Sequence, residues 1–359
     1  MHFICHAGPM ERDFARLGVS GAAEFLAFTR SCAPASLRLT ANERFFSETE
    51  DESRGGRRDD AGRIADLQAA IDDPNCAAIV AARGGAYLTR ILPYIDFSSL
   101  ARRRRPLTVF GFSEITTLVN LVATYRGGRG LYWLCPNFLA WKIKPLAAAQ
   151  AAIGAFWRRV AELLLGPVAL DSQDQQLNRT ELGIGDSLNL ASRAGRRRSY
   201  TDDAVPIHDL SGAIALGRVR PHTAPIIGGC LSVIAAVAGT PLFRRVRPDG
   251  AWLAIEDIHE APYRIDRYLA TLKLLGWFER LAGVLVGDFH AEGMPDQRAA
   301  VVELLRFHLP KRSPPVVITR DFGHVWPIVP VPIGVPLKIA PGKGAVRFGT
   351  ARAGVERRR

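Results

Sequence analysis

An α/β fold is what this sequence predicts, and three observations predict it. Short apolar runs alternate with segments of helical periodicity, most of the runs stop at a glycine, a serine or a charged residue, and no internal repeat is visible. Strands separated by helices imply a mainly parallel sheet with helices on both faces. The expected architecture is an N-terminal parallel-sheet domain, flavodoxin- or Rossmann-like, over residues 1–164, a polar connection over 165–221, and a smaller C-terminal α/β domain over 222–359.

The elements follow in order. Phe3 to Ala7 is an apolar run ended by Gly8-Pro9, and Ala61 to Ile71 is a helix with Ile64, Leu67 and Ile71 on one face, stopped by Asp72-Asp73-Pro74. Ala77 to Ala82 is apolar throughout, as a strand covered on both faces must be. Arg83-Gly84-Gly85 turns the chain into a second expected helix, carried by Leu88, Ile91, Leu92 and Ile95. Leu107 to Phe112 is a strand, Ile115, Leu118 and Val122 form a helix face, and Leu131 to Leu134 is a further strand.

From about Leu165 to Pro221 the chain is rich in Asp, Gln, Asn, Ser and Arg and has no sustained period, which suits a connection or surface excursion. Beyond it, Trp252 to Ile255, Gly283 to Gly287 and Val316 to Thr319 read as strands. Pro262 opens a helix bearing Ile265, Tyr268, Leu269, Leu272 and Leu275, and Gly276 closes it. The uncharged stretch Thr223 to Phe243 is as long as a membrane span. Pro225, Gly228, Gly229, Gly239 and Pro241 break it, so it is expected to be a buried loop, a short helix and a turn.

Bulk composition excludes several classes. With 48% hydrophobic and 23% charged residues in 359, the chain can build about two cores and is not disordered. The net charge of +12 gathers at Arg102 to Arg105, Arg196 to Arg198 and Arg357 to Arg359. No nucleic-acid motif accompanies these clusters, so they read as solvated surface and nucleic acid is not expected as a partner. Cys5, Cys32, Cys76, Cys135 and Cys230 are odd in number, widely spaced and without a Cys-x-x-Cys pair. That argues against a disulfide framework and a zinc site, and for a reducing compartment. The N-terminus lacks a basic region and meets Glu11, Arg12 and Asp13 too early for a signal peptide, so the expected location is cytoplasmic.

The chemistry centres on Ser113, in Leu107-Thr-Val-Phe-Gly-Phe-Ser113-Glu-Ile-Thr, where a strand gives way to a helix. That turn is where an exposed, activated hydroxyl is expected. Trp252 to Ile255 ends on Glu256, and Val316 to Ile318 runs toward Gly323-His324. Serine, glutamate and histidine at the ends of three strands can supply a nucleophile, an orienting carboxylate and a general base. Each alone has a plainer reading: Ser113 as a helix N-cap, Glu256 as a turn carboxylate, His324 as a surface or core histidine.

The chain resembles the LD-carboxypeptidases, cytoplasmic serine peptidases that include relatives of the microcin C immunity peptidases. The resemblance lies in Ala82-Arg-Gly-Gly85 with Arg90-Ile-Leu-Pro-Tyr-Ile-Asp96, in Gly111-Phe-Ser-Glu-Ile-Thr116, and in Ile255-Glu-Asp-Ile-His-Glu-Ala-Pro-Tyr-Arg-Ile-Asp-Arg267. It continues through Val286-Gly-Asp-Phe289, Phe322-Gly-His324 and Pro332-Ile-Gly334. The resemblance implies Ser113 as nucleophile, Glu256 as acid and His324 as base, no cofactor, and a homodimer. Oxyanion donors are expected from the backbone N–H of Glu114 and from the Gly84-Gly85 turn, for which a plain tight turn is the alternative. His6, His208, His222, His290 and His308 lack metal-ligand spacing, so no metal is expected, and His259 beside the acid motif is expected at most to line the pocket.

The departures from the family cluster near the presumed pocket: Ala86 and Tyr87 after Gly85, Leu134-Cys135-Pro136 for a His-Gly-Pro or Tyr-Gly-Pro segment, Cys230 for an asparagine, and Val325-Trp326-Pro327 after the histidine. Tyr87, Cys135, Cys230 and Trp326 are therefore the expected pocket residues. The two cysteines are read as small hydrophobes rather than nucleophiles. By this reading the protein is a hydrolase that releases the terminal D-alanine of murein tetrapeptide during wall recycling. An immunity-type amidase acting on peptidyl or aminoacyl nucleotides is the alternative, with Trp326 to stack on a base, and a catalytically silent binding protein of the same fold is a third reading.

Overall fold

The structure is a computed structural model. It describes residues 1–350 apart from 34, 36, 49–54, 57–58, 145, 166–209, 291–295 and 327. Most of the polar connection, with Arg196 to Arg198 and His208, lies outside the described residues, as do Arg357 to Arg359. The chain forms two compact units. One comprises Met1–Gly111 and the described residues of 134–207, the other Phe112–Trp133 and those of 208–359. Ser113, expected within the segment 1–164, thus shares a unit with Glu256 and His324.

The first unit holds a parallel sheet ordered β4-β3-β1-β2, from β1 (His2–Ile4), β2 (Thr40–Ala41), β3 (Ala78–Ala81) and β4 (Leu107–Gly111). Its helices are α1 (Glu11–Leu17), α2 (Ala22–Cys32), α3 (Arg44–Ser47), α4 (Asp60–Asp72), α6 (Pro136–Lys142) and α7 (Leu146–Leu165). Asp59 caps α4 by accepting the Gly62 N–H at 2.8 Å. The helix expected over Leu88 to Ile95 does not form: the segment is turns and a short 3-10 stretch at Leu92–Tyr94. Pro93 is the reason, because it lacks an N–H and its ring collides with the preceding helical turn. Leu88, Ile91 and Leu92 are nonetheless buried, so their spacing reported burial rather than helix.

Arg103 departs from its expected solvated role. It is buried, and its guanidinium donates to the carbonyls of Ile71, Asp73 and Cys76, closing the exit from α4. Five donors in a rigid fork suit it to gather carbonyls in this way.

In the second unit, the C-terminal part is a closed seven-stranded mixed barrel rather than an open sheet. Its strands are β6 (Leu210–Leu216), β7 (His222–Cys230), β8 (Trp252–Ile258), β9 (Gly283–His290), β10 (Val316–Thr319), β12 (Pro336–Pro341) and β13 (Val346–Thr350). Strands β7, β8, β9 and β10 run parallel, and β6, β13 and β12 return antiparallel until β12 pairs with β7. Outside this ring, β11 (Val331–Ile333) joins β7 to β5 (Gly128–Tyr132). The expected buried loop after Thr223 is thus largely strand β7, followed by α8 (Leu231–Val237). Helices α5 (Thr116–Ala123), α9 (Pro262–Leu274) and α10 (Arg298–His308) complete the unit.

Burial explains the register. Trp252 is fully buried, meets Phe348 edge-on at 4.9 Å, and lies over Gly283, where a Cβ would fall 2.5 Å from its ring. Burying such a ring contributes roughly 1.5–3 kcal/mol and fixes the partner strand at that glycine.

Candidate active site

Ser113 follows the end of β4 by one extended residue, Phe112, and opens a 3-10 turn that leads into α5. Its φ is +60°, left-handed backbone that costs a non-glycine residue about 1–3 kcal/mol. A sharp strand-to-helix turn with a strained serine is the geometry that projects a nucleophile. Surrounding bonds hold the turn. The Thr116 hydroxyl donates to the Ser113 carbonyl at 2.5 Å and accepts the Cys230 N–H at 3.0 Å. The Asn120 amide accepts the Gly228 N–H at 3.0 Å and donates to the Gly228 carbonyl at 2.8 Å, clamping α5 onto β7. The glycines there have a steric reason: a Cβ on Gly229 would lie 2.5 Å from Tyr132 and 2.7 Å from Thr116.

Glu256 was expected at a strand end, but β8 continues to Ile258 and Glu256 lies within it, opposite Cys230 of β7. A β-bulge against β9 follows Ile255, which re-aims the side chains beyond it. The Glu256 carboxylate is fully buried, and its Oε2 lies 2.6 Å from His324 Nδ1. Tyr132, the last residue of β5, donates its hydroxyl to Oε1. His324 follows Gly323, whose φ is +112° and whose missing Cβ would sit 2.9 Å from Glu256 and Asp288. Only glycine lets the chain pass this close to the Cβ atoms of those two residues.

The electrostatics are those of a crowded anionic site. Burial opposes charging of the His324 imidazole, but the Glu256 charge and hydrogen bond, with smaller contributions from the Asp257 and Asp288 charges, hold its pKa above the ordinary value of 6.5. Asp257 is pushed up to about 6, by burial first and then by the Glu256 charge. Burial, then Asp257 and Glu256, raise the Cys230 thiol well above 9.0. A thiol so held stays protonated and is a poor nucleophile. The phenol of Tyr132 is likewise raised well above 10.0 by burial and by Glu256, so it remains a donor.

The other expected residues are distributed between the units. Glu114, Cys230 and Trp326 belong to the second, with Glu114 buried and Trp326 half-buried; Gly84, Gly85, Tyr87 and Cys135 belong to the first. Within that first unit, a Cβ on Gly85 would fall 2.3 Å from the Ala7 carbonyl, which accepts the Ala86 N–H at 2.7 Å. A tight turn therefore accounts for Gly85 by itself. Tyr87 packs on Gly56 beneath the Arg90 guanidinium, and Cys135 is buried at the start of α6. His259 is exposed, with a φ of +60°. Among the described residues no cluster of three or more His, Cys, Asp or Glu side chains is arranged to hold a metal. Likewise, no helix among them is long and apolar enough to cross a membrane.

Tyr132, Thr116 and Asn120 are contributors the sequence reading missed. Thr116 and Asn120 stand one turn apart on a helix that is apolar apart from them and Thr117, and buried polar residues there were the available signal.

Comparison with known proteins gives the family. Residues 20–132 match the N-terminal domain of LD-carboxypeptidases and residues 223–339 match the C-terminal domain. The chain is 32% identical over 289 residues to "Putative carboxypeptidase SCO6489" of Streptomyces coelicolor, covering 80% of this chain and 76% of that one. It is 28% identical to the "Probable murein peptide carboxypeptidase" of Bacillus subtilis, covering 77% and 72%. The solved structure of the microcin C7 self-immunity protein MccF superposes with a TM-score of 0.65 at 18% identity, covering 97% of this chain and 95% of that chain. The protein belongs to the LD-carboxypeptidase family and is a serine peptidase of that family.

Proposed function

We propose that Ser113, His324 and Glu256 form a catalytic triad that hydrolyses the L,D amide bond releasing terminal D-alanine from murein tetrapeptide. The observation that carries the reading is the 2.6 Å contact between a fully buried Glu256 carboxylate and His324 Nδ1, in the same compact unit as a serine held at φ +60°. With Nδ1–H donated to the carboxylate, Nε2 is the nitrogen that takes the Ser113 proton as Oγ attacks the scissile carbonyl. The tetrahedral intermediate then collapses to an acyl-enzyme as the imidazolium protonates the leaving amine of D-alanine. Water, deprotonated by the same imidazole, attacks the ester and restores Ser113. The Glu114 N–H, first after the nucleophile, is the proposed oxyanion donor.

The murein substrate rests on the name of the Bacillus relative. Cytoplasmic residence and a homodimer are proposals of the family resemblance. The alternative substrate is an aminoacyl nucleotide, favoured by Trp326 two residues after the base. Turnover of murein tetrapeptide and of an aminoacyl sulfamoyl adenosine by the same preparation separates the two. Release of D-alanine from the tetrapeptide, with the nucleotide untouched, is expected; the reverse preference would overturn the substrate assignment and leave the triad standing.

A further inference from the structure

We propose that Tyr132 is a positioning residue of this site, its hydroxyl tying the backbone of the nucleophile to the carboxylate of the acid; the proposal rests on the triad reading above. The phenol accepts the Ser113 N–H at 3.2 Å and donates to Glu256 Oε1. Chemistry fixes both directions, because a backbone N–H only donates and an ionised carboxylate only accepts. Two consequences follow for the reaction. Holding Oε1 leaves Oε2 to face His324 Nδ1, so the imidazole tautomer depends on the tyrosine through Glu256. Engaging the Ser113 N–H braces the left-handed nucleophile and removes that donor from the oxyanion site, leaving the role to the N–H of Glu114.

The surroundings keep the ring still when its hydroxyl is deleted. Tyr132 is fully buried, with Phe322 at 4.7 Å and Phe112 edge-on at 6.4 Å, and Gly229 leaves room along the ring edge. Phe112 also packs against the His324 imidazole at 4.8 Å, so the whole group is one packed cluster.

The test compares wild type, Tyr132→Phe, Glu256→Gln, their double variant and Ser113→Ala on murein tetrapeptide, with a fluorophosphonate labelling rate in parallel. Tyr132→Phe should keep a cooperative melt, lose about 10–100-fold in kcat and leave KM unchanged, as loss of a hydrogen bond to a charged group predicts. Its effect should shrink in the Glu256→Gln background, because the hydroxyl acts through that carboxylate. Wild-type kcat in Tyr132→Phe alongside an inactive Ser113→Ala would overturn this proposal alone. An active Ser113→Ala, or a wild type that neither turns over nor labels, would overturn the triad reading and the proposal with it. Should Tyr132→Phe fail to fold, proton NMR of the intact protein decides. A far-downfield exchangeable proton that survives His324→Ala supports the tyrosine–glutamate bond, and its absence from both proteins overturns it.

Discussion

His324 is where the proposed chemistry is most exposed to measurement. Its imidazole must be neutral to act as a base, and its pKa stands above 6.5 because Glu256 outweighs the burial that opposes charging. The acid limb of kcat/KM should therefore have its midpoint above pH 6.5, with activity rising as pH rises through it. Glu256→Gln removes the strongest raising influence, so burial then dominates and the limb should move to lower pH, while the maximal rate falls by about 10²–10⁴-fold from loss of tautomer control. A pH–rate profile of both proteins checks the sign. A limb that moved upward in the variant would contradict the assignment of His324 as the base.

At the scale of elements, the site depends on how α5 is fastened to β7. Asn120 bonds both the N–H and the carbonyl of Gly228, and Thr116 bridges Ser113 to Cys230, so the Ser113 turn and the strand beside Glu256 are one hydrogen-bonded piece. Asn120→Ala should strand two buried backbone groups and destabilise the protein by roughly 1–3 kcal/mol. Because the Asn120 amide bonds the backbone of Thr116 and Gly228, its kcat loss should come with a lower melting temperature, unlike that of Tyr132→Phe. Denaturant unfolding and kinetics on one preparation read both.

Much of this level was legible in the sequence. Val316–Thr319 matches its expected strand, and α4, α5 and β3 lie within a residue or two of their expected bounds, because their apolar periods coincide with burial. What escaped has a physical cause in each case. Strand β6 is built from small and half-exposed residues, with Ile214 45% exposed, and owes its place to pairing with β10 and β13 rather than to an apolar face. The span Leu88 to Ile95 mimicked a helix because turns can also bury residues at three- and four-residue spacing. Ser113, Glu256 and His324 could be singled out from their motifs. Tyr132 could not, since nothing local to a strand end indicates a carboxylate 124 residues away.

For the molecule as a whole, two buried groups pull stability in opposite directions as pH changes. His6 is held below 6.5, chiefly by burial, against the pull of Asp66 at 3.1 Å. Below pH 6.5 the unfolded chain takes up this proton and the folded one does not, so stability falls on acidification. Asp257, pushed from 3.8 to about 6, does the reverse: the folded state holds its proton more tightly, and a contribution of the order of 3 kcal/mol is lost as pH rises through that window. Melting temperatures between pH 7 and pH 5 should therefore drop less in His6→Gln than in wild type, and more in Asp257→Asn. Equal slopes in all three would show that neither group is linked to folding.

The central claim, that Ser113 is the attacking nucleophile, is tested most directly by peptide mass spectrometry after reaction with a fluorophosphonate. The structure leads us to expect a single adduct on the Ser113 peptide, absent from Ser113→Ala and strongly slowed in His324→Ala. An adduct on another residue, or undiminished labelling of Ser113→Ala, would contradict the account.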